Sequence, residues 1–231
     1  MITERQKKIL DIIIEEYINS AEPISSQILA QKYDFGLCSA TIRIEMKNLT
    51  TLGFLEKPYI SSGRIPTDRA YRIFVDGFFE EDEEFEDMQD LFKINSTEFD
   101  RARELTDFLA SNSSSYIVFS FPQRNISWQA GLNDLIRAPE FSNKDFILNF
   151  LSFVDEFSRE QGKLNLESKP KVFIGEETPF EGAHDFSLIS SENVFNNNER
   201  FRLSLIGPKR MDYRKNMKLI NSLLKIIAEK I

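Results

Sequence analysis

The sequence has almost none of the side chains on which most catalytic and metal sites depend. Its 231 residues include one cysteine, Cys38, and one histidine, His184. No Cys/His metal set and no histidine-paired nucleophile can be assembled from two such residues. Neither a GxxxxGK(S/T) nor a GxGxxG phosphate-binding loop is present, and adjacent carboxylates such as Glu176 and Glu177 are too common to mark an active site. We therefore predict that the chain is not an enzyme and uses no cofactor or metal.

The chain also lacks the segments that would direct it into or across a membrane. Its first residues, MITERQKK, contain no apolar core of a signal peptide, and no run of about 18 apolar residues occurs. A single cysteine excludes an internal disulfide. The hydrophobic content of 41% suffices to bury real cores, and 231 residues fit two domains. These features predict a cytoplasmic, two-domain protein that does not contact a membrane. His184 is interpreted as structural or exposed, and Cys38 as buried or half-buried.

The net charge of −8 is unevenly distributed along the chain. Residues 1–76 contain ten basic and ten acidic residues, so the whole acidic excess lies in residues 77–231. Residues 39–72 hold six basic and three acidic side chains. A local basic surplus of this kind is what contact with nucleic-acid phosphates requires.

Residues 36–72 contain the most informative pattern in the sequence. Ser39 is predicted to cap a helix that begins at Ala40, and Gly53 marks its end. Ile42, Met46 and Leu49 share the buried face. The opposite face is small, polar and basic, as expected of a helix that enters a DNA major groove. It comprises Ala40, Arg43, Ile44, Lys47 and Thr51, with Thr41 and Asn48 on one flank.

A hairpin is predicted directly after this helix. Residues 54–56 have the composition of a short strand, Pro58 ends it, and Ser61, Ser62 and Gly63 form a turn that leads into Arg64. A helix followed by a hairpin with a basic tip is the layout of a winged helix-turn-helix, in which Arg64 would reach the minor groove or a phosphate. The alternative is that the hairpin is an ordinary exposed loop.

Two further helices precede this pair of elements. Thr3 and Gln6 fit a capping box, and the apolar period predicts a helix from there to about Ser20. Ser25 or Ser26 is predicted to cap a second helix. Thr67 then caps a fourth helix, which leads out of the domain.

Several segments resemble the HrcA family of heat-inducible transcription repressors. The first 76 residues are similar to its N-terminal domain through ERQKKILDIIIEEYI, EPISSQILAQKY, SATIRIEMKNLTTLGFLEKP and SSGRIPTDRAYRIFVD. The similarity returns in NDLIRAPEF, KVFIGEETPFEGAHDFSLIS and LSLIGPKRMDY. The matches occur in the same order at both ends of the chain, and IGPKRMDY after a strand is the most specific of them.

The pattern of the second half predicts an α+β sheet domain. Residues 77–95 form an acidic linker or helix, with eight acidic residues between Glu80 and Asp90. Helices are predicted at 96–110 and 143–157 and from Asp212 onward, with strands at 116–121, 171–175, 186–190 and 200–206. The resemblance implies that residues 96–231 form a GAF-like domain. Members of the family usually carry a separate dimerisation domain inserted there, and the resemblance implies that only a stub around 122–165 remains in this shortened chain.

The resemblance implies a repressor of heat-shock (chaperone) genes that binds an inverted-repeat operator as a homodimer. It also implies release under heat stress and a chaperonin as a further partner. A dimer is also expected from the specificity of binding, because one recognition helix reads too few base pairs to select a genomic site. The predicted DNA-binding residues are Ser26, Gln27, Ser39, Thr41, Arg43, Ile44, Lys47, Asn48, Ser62 and Arg64.

Ile44 stands where the family more often has Asn, and we hypothesise that it contacts a thymine methyl group. The alternative is that Ile44 is a tolerated apolar residue beside the domain core. Three alternatives for the whole protein stay open: a second domain that senses a ligand, a winged helix that is a protein-interaction module without specific DNA binding, or a DNA-binding remnant whose regulation has been lost.

Overall fold

The computed structural model describes residues 2–77, 98–195 and 198–230. The chain divides into two compact units, Met1–Glu80 and Glu81–Ile231. The interpretation of residues 77–95 as an acidic linker falls almost entirely outside the described residues. Each unit is considered separately below.

The described residues of the first unit form four helices, three of which begin at a side-chain cap. The Thr3 hydroxyl accepts from the Gln6 amide at 3.2 Å, and the Gln6 side chain accepts from the Thr3 amide at 3.0 Å, which confirms the predicted capping box. Ser25 caps the second helix and Thr67 the fourth. The helices are α1 (Glu4–Ser20), α2 (Ser26–Lys32), α3 (Ser39–Thr51) and α4 (Asp68–Asp76).

The predicted apolar stripes form the core of this unit. On α3 the predicted inward residues Ile42, Met46 and Leu49 are all buried. They lie with the buried side chains of the other helices: Ile9, Leu10, Ile13, Ile14, Leu29, Ala70, Tyr71, Phe74 and Val75. Burial of these periodic positions is the main stabilising term for short helices, which are marginal on their own.

A two-stranded antiparallel hairpin follows α3, as predicted. Strand β1 (Leu55–Glu56) pairs with β2 (Ile65–Pro66). Its base is tied to the segment between α1 and α2, because Ile24 and Arg64 exchange two backbone hydrogen bonds of 2.9 and 2.8 Å. Gly63 makes this approach possible, since a Cβ there would lie 2.4 Å from the carbonyl oxygen of Ile24.

The second unit is built on a five-stranded, fully antiparallel sheet in the order β4-β3-β7-β6-β5. The predicted strands at 116–121, 171–175, 186–190 and 200–206 are all present, the last two being longer than expected. The strands are β3 (Tyr116–Phe121), β4 (Ile126–Ala130), β5 (Lys171–Ile174), β6 (Phe186–Val194) and β7 (Arg200–Pro208). The helices are α5 (Glu98–Ser113), α6 (Leu132–Leu135), α7 (Lys144–Glu160) and α8 (Tyr213–Lys230). This arrangement confirms the α+β class.

The segment expected to be a reduced insertion is part of the sheet domain itself. After Phe121 the chain turns and returns as β4, where Trp128 lies opposite Phe119 in the ladder. Further along, α7 contributes Phe150, Phe153 and Phe157 to the core. An edge strand and a core helix therefore occupy much of the range 122–165, in which the reduced insertion is predicted.

Aromatic rings fill one face of the sheet. Phe150 packs against both Tyr116 and Phe186, with ring centroids 5.9 and 5.5 Å apart, and Phe153 lies 6.0 Å from Phe180. Aromatic pairs at such distances add to the stabilisation from burial alone. The helical period predicts Ile147, Phe150, Leu151 and Val154 as the inward face of α7. Phe150 is buried as predicted, whereas Ile147 and Leu151 are exposed.

Candidate nucleic-acid interface

Helix α3 presents the outward face that the sequence predicted. Ile44 is 61% exposed, and Ala40, Arg43, Lys47, Asn48 and Thr51 are exposed as well, while Thr41 is half-buried. Small residues stand near the N-terminal end of this face, and the basic side chains follow one turn apart. Such a surface suits close approach to a nucleic-acid groove.

The start of α3 differs from the prediction by one residue. The N-cap is Cys38, whose carbonyl accepts from the Ile42 amide at 3.1 Å, and Ser39 is the first helical residue. Cys38 is exposed rather than buried or half-buried, so that prediction was wrong too. Its Sγ lies 3.3 Å from the Thr41 hydroxyl, and hydrogen bonding to Thr41 lowers the pKa of the thiol.

Ser39 contacts the start of α2 instead of capping α3. Its hydroxyl lies 3.3 Å from the hydroxyl of Ser26, the first residue of α2, and Arg43 Nε donates to the Ser26 hydroxyl at 3.5 Å. These contacts join the starts of α2 and α3. Ser26 is only 7% exposed, and its hydroxyl faces Ser39 and Arg43.

A groove lies between the start of α2, the exposed side of α3 and the hairpin. It gathers five of the ten predicted site residues: Ser26, Gln27, Arg43, Ser62 and Arg64. The remaining five are on α3 outside the groove: Ser39, Thr41, Ile44, Lys47 and Asn48. Residues separated by more than thirty positions in the sequence thus share one concave, basic surface.

The tip of the hairpin is not where the sequence placed it. Arg64 was predicted at the tip, but it lies at the base of the hairpin beside Ile24, and its Nε donates to the Thr50 hydroxyl at 3.1 Å. The tip carries Tyr59, 59% exposed, and Ile60, 92% exposed. Ser62 shapes the turn by donating to the Tyr59 carbonyl at 2.7 Å.

Sequence reasoning missed three functional candidates at the hairpin. Lys57 lines the groove, and its Nζ donates to the Ile60 carbonyl. Tyr59 and Ile60 are apolar side chains held in solvent at the end of a short loop. The signal was present as two large apolar residues between Pro58 and a serine turn, where a solvent-exposed loop ordinarily carries polar residues.

A buried carboxylate fixes α3 against α1. Glu45 is 5% exposed, and its Oε2 accepts from Gln6 Nε2 at 2.9 Å while Oε1 accepts from Arg5 Nη2 at 2.5 Å. The hydrogen bond from Gln6, helped by Arg5, lowers the pKa of Glu45. These hydrogen bonds therefore stabilise the negative charge of Glu45, which burial alone would destabilise.

Two of the basic residues between 39 and 72, Arg69 and Arg72, lie outside both the groove and the exposed face of α3 and have partners elsewhere. Arg69 donates to the Leu52 carbonyl at 2.8 Å and lies over the Phe54 ring at 4.4 Å. Arg72 forms an ion pair with Asp76 at 3.3 Å. The basic residues on the groove and on the exposed face of α3 are consequently Arg43, Lys47, Lys57 and Arg64.

The described part of the chain contains no cluster of three or more His, Cys, Asp or Glu side chains able to hold a metal ion. Among the same residues, no helix is both long and apolar enough to cross a bilayer. In the second unit, His184 lies 2.9 Å from the Asp185 carboxylate, and its side chain is 55% exposed.

These observations define the class of protein: a two-unit α+β chain with a basic helix and hairpin on the first unit and a helix-flanked antiparallel sheet in the second. The profile described as HrcA protein C terminal domain matches residues 81–217, more than half of the chain. The chain belongs to the HrcA family.

Curated relatives carry the name of the same family. Proteins named heat-inducible transcription repressor HrcA are 46% identical over 114 residues in Ruminiclostridium cellulolyticum and 41% identical over 110 residues in Desulfitobacterium hafniense. These alignments cover 49% and 48% of this chain but 32% and 31% of the relatives. The matched part thus spans about a third of their length.

One solved structure shares the fold over the whole chain. It is described as a hypothetical protein, superposes with a TM-score of 0.82 at 18% sequence identity, and the match covers 99% of this chain and 98% of that one. At this identity the likeness concerns the fold alone.

Proposed function

We propose that this chain is a DNA-binding transcriptional repressor of heat-shock (chaperone) genes in the cytoplasm, which binds an inverted-repeat operator as a homodimer. The first unit acts as a winged helix-turn-helix, with α3 as the recognition helix and the hairpin as the wing. The second unit is the GAF-like domain of the family. Heat stress, or loss of chaperonin support, releases the repressor from its operator.

The groove beside α3 is the observation that carries the proposal. Arg43, Lys57 and Arg64 line one concave surface contributed by α2, α3 and the hairpin, and Lys47 stands exposed on the adjoining face of α3. Cationic side chains grouped in this way supply the salt-dependent, sequence-independent part of DNA affinity. The small residues at the start of α3 allow the helix end to approach base edges, which supplies the sequence-dependent part.

We assign different tasks to the ten site residues. Arg43, Lys47 and Arg64 carry charge to phosphates or bases, and Ile44 and Asn48 face base edges. Ser26 and Ser39 position Arg43 through the hydroxyl contacts described above, and Gln27 and Thr41 flank the groove. Ser62 sets the conformation of the wing, whose tip residues Tyr59 and Ile60 are apolar contacts for the minor groove.

The rival in which the second unit senses a small ligand has less support. One face of its sheet is filled by the aromatic rings of α7 and its neighbours, with Phe150, Phe153, Phe157 and Phe186 each at most 3% exposed. A preformed ligand pocket on that face would require space that these rings occupy. A rise in melting temperature on adding a candidate ligand would revive this alternative.

Fluorescence anisotropy on the purified chain tests the proposal. Three duplexes are compared at two salt concentrations: a chaperone-operon inverted repeat, one half of it, and a scrambled control. The proposal requires nanomolar binding to the full repeat, much weaker binding to the half, and a steep dependence on salt. Equal, weak binding to all three duplexes contradicts it and favours a protein-interaction module.

A further inference from the structure

Helix α7 is apolar on two opposite faces, and only one of them has a partner in the described structure. Phe150, Phe153 and Phe157 point into the aromatic core. On the other side, Ile147, Leu148 and Leu151 are 38%, 50% and 54% exposed. The prediction that Ile147 and Leu151 face inward is wrong, because both faces of this helix carry apolar residues at helical spacing.

The exposed leucines occupy the most outward positions of the helix. At about 100° per residue, Leu148 and Leu151 lie within about 60° of each other and opposite the core phenylalanines. Lys144 and Asp155 fall on the same strip, one turn before and one turn after the leucines. Both are exposed, and Lys144 is in none of the salt bridges formed by the described residues.

This strip is complementary to itself when two copies run antiparallel. A two-fold axis midway between positions 149 and 150 places Leu148 against Leu151 of the second copy. The same axis places Lys144 against Asp155 of the second copy, and vice versa, so that two apolar and two opposite-charge contacts form together. A parallel pairing would instead set Lys144 against Lys144 and Asp155 against Asp155, which costs energy through like-charge repulsion.

Asp155 is already paired within its own helix but remains available. Its carboxylate lies 2.9 Å from Arg159, and both side chains are 68% exposed. Exposed ion pairs of this i,i+4 type contribute only about 0.3 to 0.5 kcal/mol. Sharing the carboxylate with a second copy therefore costs little.

We infer that the strip formed by Lys144, Ile147, Leu148, Leu151 and Asp155 is a homodimer interface in which two copies of α7 pack antiparallel. The inference rests on the proposed function in one respect, because an inverted-repeat operator requires a two-fold protein. One helix pair buries less than the roughly 1,200 to 2,000 Å² of standard stable interfaces. The free dimer is accordingly weak, and an operator with two half-sites strengthens it by holding both copies at high effective concentration.

Sedimentation equilibrium of the full chain without DNA tests the interface directly. We expect concentration-dependent dimers, and a double variant Leu148→Gln/Leu151→Gln that raises the dimer dissociation constant by at least about tenfold, as loss of a central apolar contact does at other interfaces. Val194→Gln is the matched control, since Val194 is an exposed apolar residue, at 53%, outside α7. Circular dichroism and thermal melting should show that all these variants are folded.

Charge reversal tests the antiparallel register. Lys144→Glu and Asp155→Lys should each weaken the dimer, because each creates two like-charge contacts across the axis. The combined variant restores both pairs and should restore dimerisation. Failure of the rescue, wild-type monomers throughout the micromolar range, or a dimer insensitive to the leucine changes would each overturn the inference.

Failure of this interface and failure of the proposed function are distinguishable. If dimerisation depends on α7 but the protein binds all three duplexes equally, the interface is supported and the proposed repressor function is contradicted. If the protein selects the full repeat but its association is insensitive to changes in α7, the repressor function is supported and the interface is contradicted.

Discussion

The guanidinium of Arg5 and the carboxylate of Glu45 meet at 2.5 Å although forty positions separate them in the sequence. This ion pair, with the hydrogen bond from Gln6, joins the N-terminal turn of α1 to the middle of α3. Glu45 lies on the inner side of the helix whose outer side carries Ile44 and Lys47. The orientation of the predicted recognition surface therefore depends on a contact made behind it.

Replacing Glu45 by Gln should destabilise the first unit by about 1 to 2 kcal/mol at neutral pH, because Arg5 and Gln6 then lose the carboxylate that accepts their hydrogen bonds. The lowered pKa of Glu45 gives the sign of the pH dependence. Its contribution is fully present above the ordinary glutamate pKa of 4.5 and is lost as the pH falls through the lower value of the folded state. Urea unfolding should show the difference from wild type shrinking in acid. Glu56→Gln, at an exposed position, serves as control and should change little.

Gly63→Ala should destabilise the first unit by about 1 to 3 kcal/mol, as overpacking does elsewhere. The new Cβ would lie 2.4 Å from the carbonyl oxygen of Ile24 and 2.6 Å from that of Pro23, and neither backbone atom can rotate away. Gly162→Ala is the matched control, since a Cβ there meets nothing within 4 Å. Thermal melting of the two variants should separate them clearly; similar melting temperatures would show that the hairpin base tolerates the extra carbon.

Arg43→Ala should weaken operator binding by about 1 to 3 kcal/mol if the guanidinium contacts a base. Anisotropy on the operator and on scrambled DNA distinguishes the kind of contact. A loss confined to the operator identifies a base contact, whereas equal losses on both duplexes assign Arg43 to a phosphate. Ser26→Ala should reproduce part of the effect, because the Ser26 hydroxyl accepts from Arg43 Nε. Unchanged affinity in both variants would remove Arg43 from the interface.

Ile44→Asn should change the ranking of operator variants at one base position while leaving stability within about 0.5 kcal/mol of wild type. The side chain is 61% exposed, so its removal leaves no cavity. A contact with a thymine methyl group would be lost, and the amide would favour adenine instead. A panel of duplexes with single substitutions in the half-site provides the measurement. An unaltered ranking would show that Ile44 does not read DNA.

Tyr33 should titrate at unusually high pH. Its hydroxyl donates to Glu16 Oε1 at 2.6 Å, and this hydrogen bond to a carboxylate raises the pKa of Tyr33 from 10.0 to about 12. The stabilisation is complete below pH 10 and is lost as the pH rises through the folded-state value. Subtracting the ultraviolet titration of Tyr33→Phe from that of wild type isolates the group. Glu16→Gln should return its pKa toward 10, and a wild-type value already near 10 would contradict the contact.

The sequence predicted those features that local chemistry determines. The caps Thr3, Ser25 and Thr67 and the apolar period of α1 and α3 involve residues a few positions apart, so the helices follow from them. The outward face of α3 was likewise predicted correctly, because it is the complement of its buried stripe. The hairpin followed from its turn residues.

Features that depend on distant partners were missed or misplaced. The burial of Glu45 requires Arg5 and Gln6 on another helix, and the position of Arg64 at the hairpin base requires a bridge to Ile24, forty residues earlier. Strand β4 is an edge strand whose residues are all exposed or half-buried, so its alternation of apolar and polar residues is weak. In α7 both faces are apolar, and only the surrounding phenylalanines decide which one is buried.

The bridge between Ile24 and Arg64 also bears on the entropy of recognition. Two backbone hydrogen bonds hold the end of the hairpin loop against Ile24, and the Ser62 and Lys57 side chains bond to the carbonyls of Tyr59 and Ile60 within the loop. These bonds restrain the backbone of the tip, while its apolar side chains remain in water. A preorganised loop has little freedom left to lose on contact, so more of the free energy gained at the tip is retained as affinity.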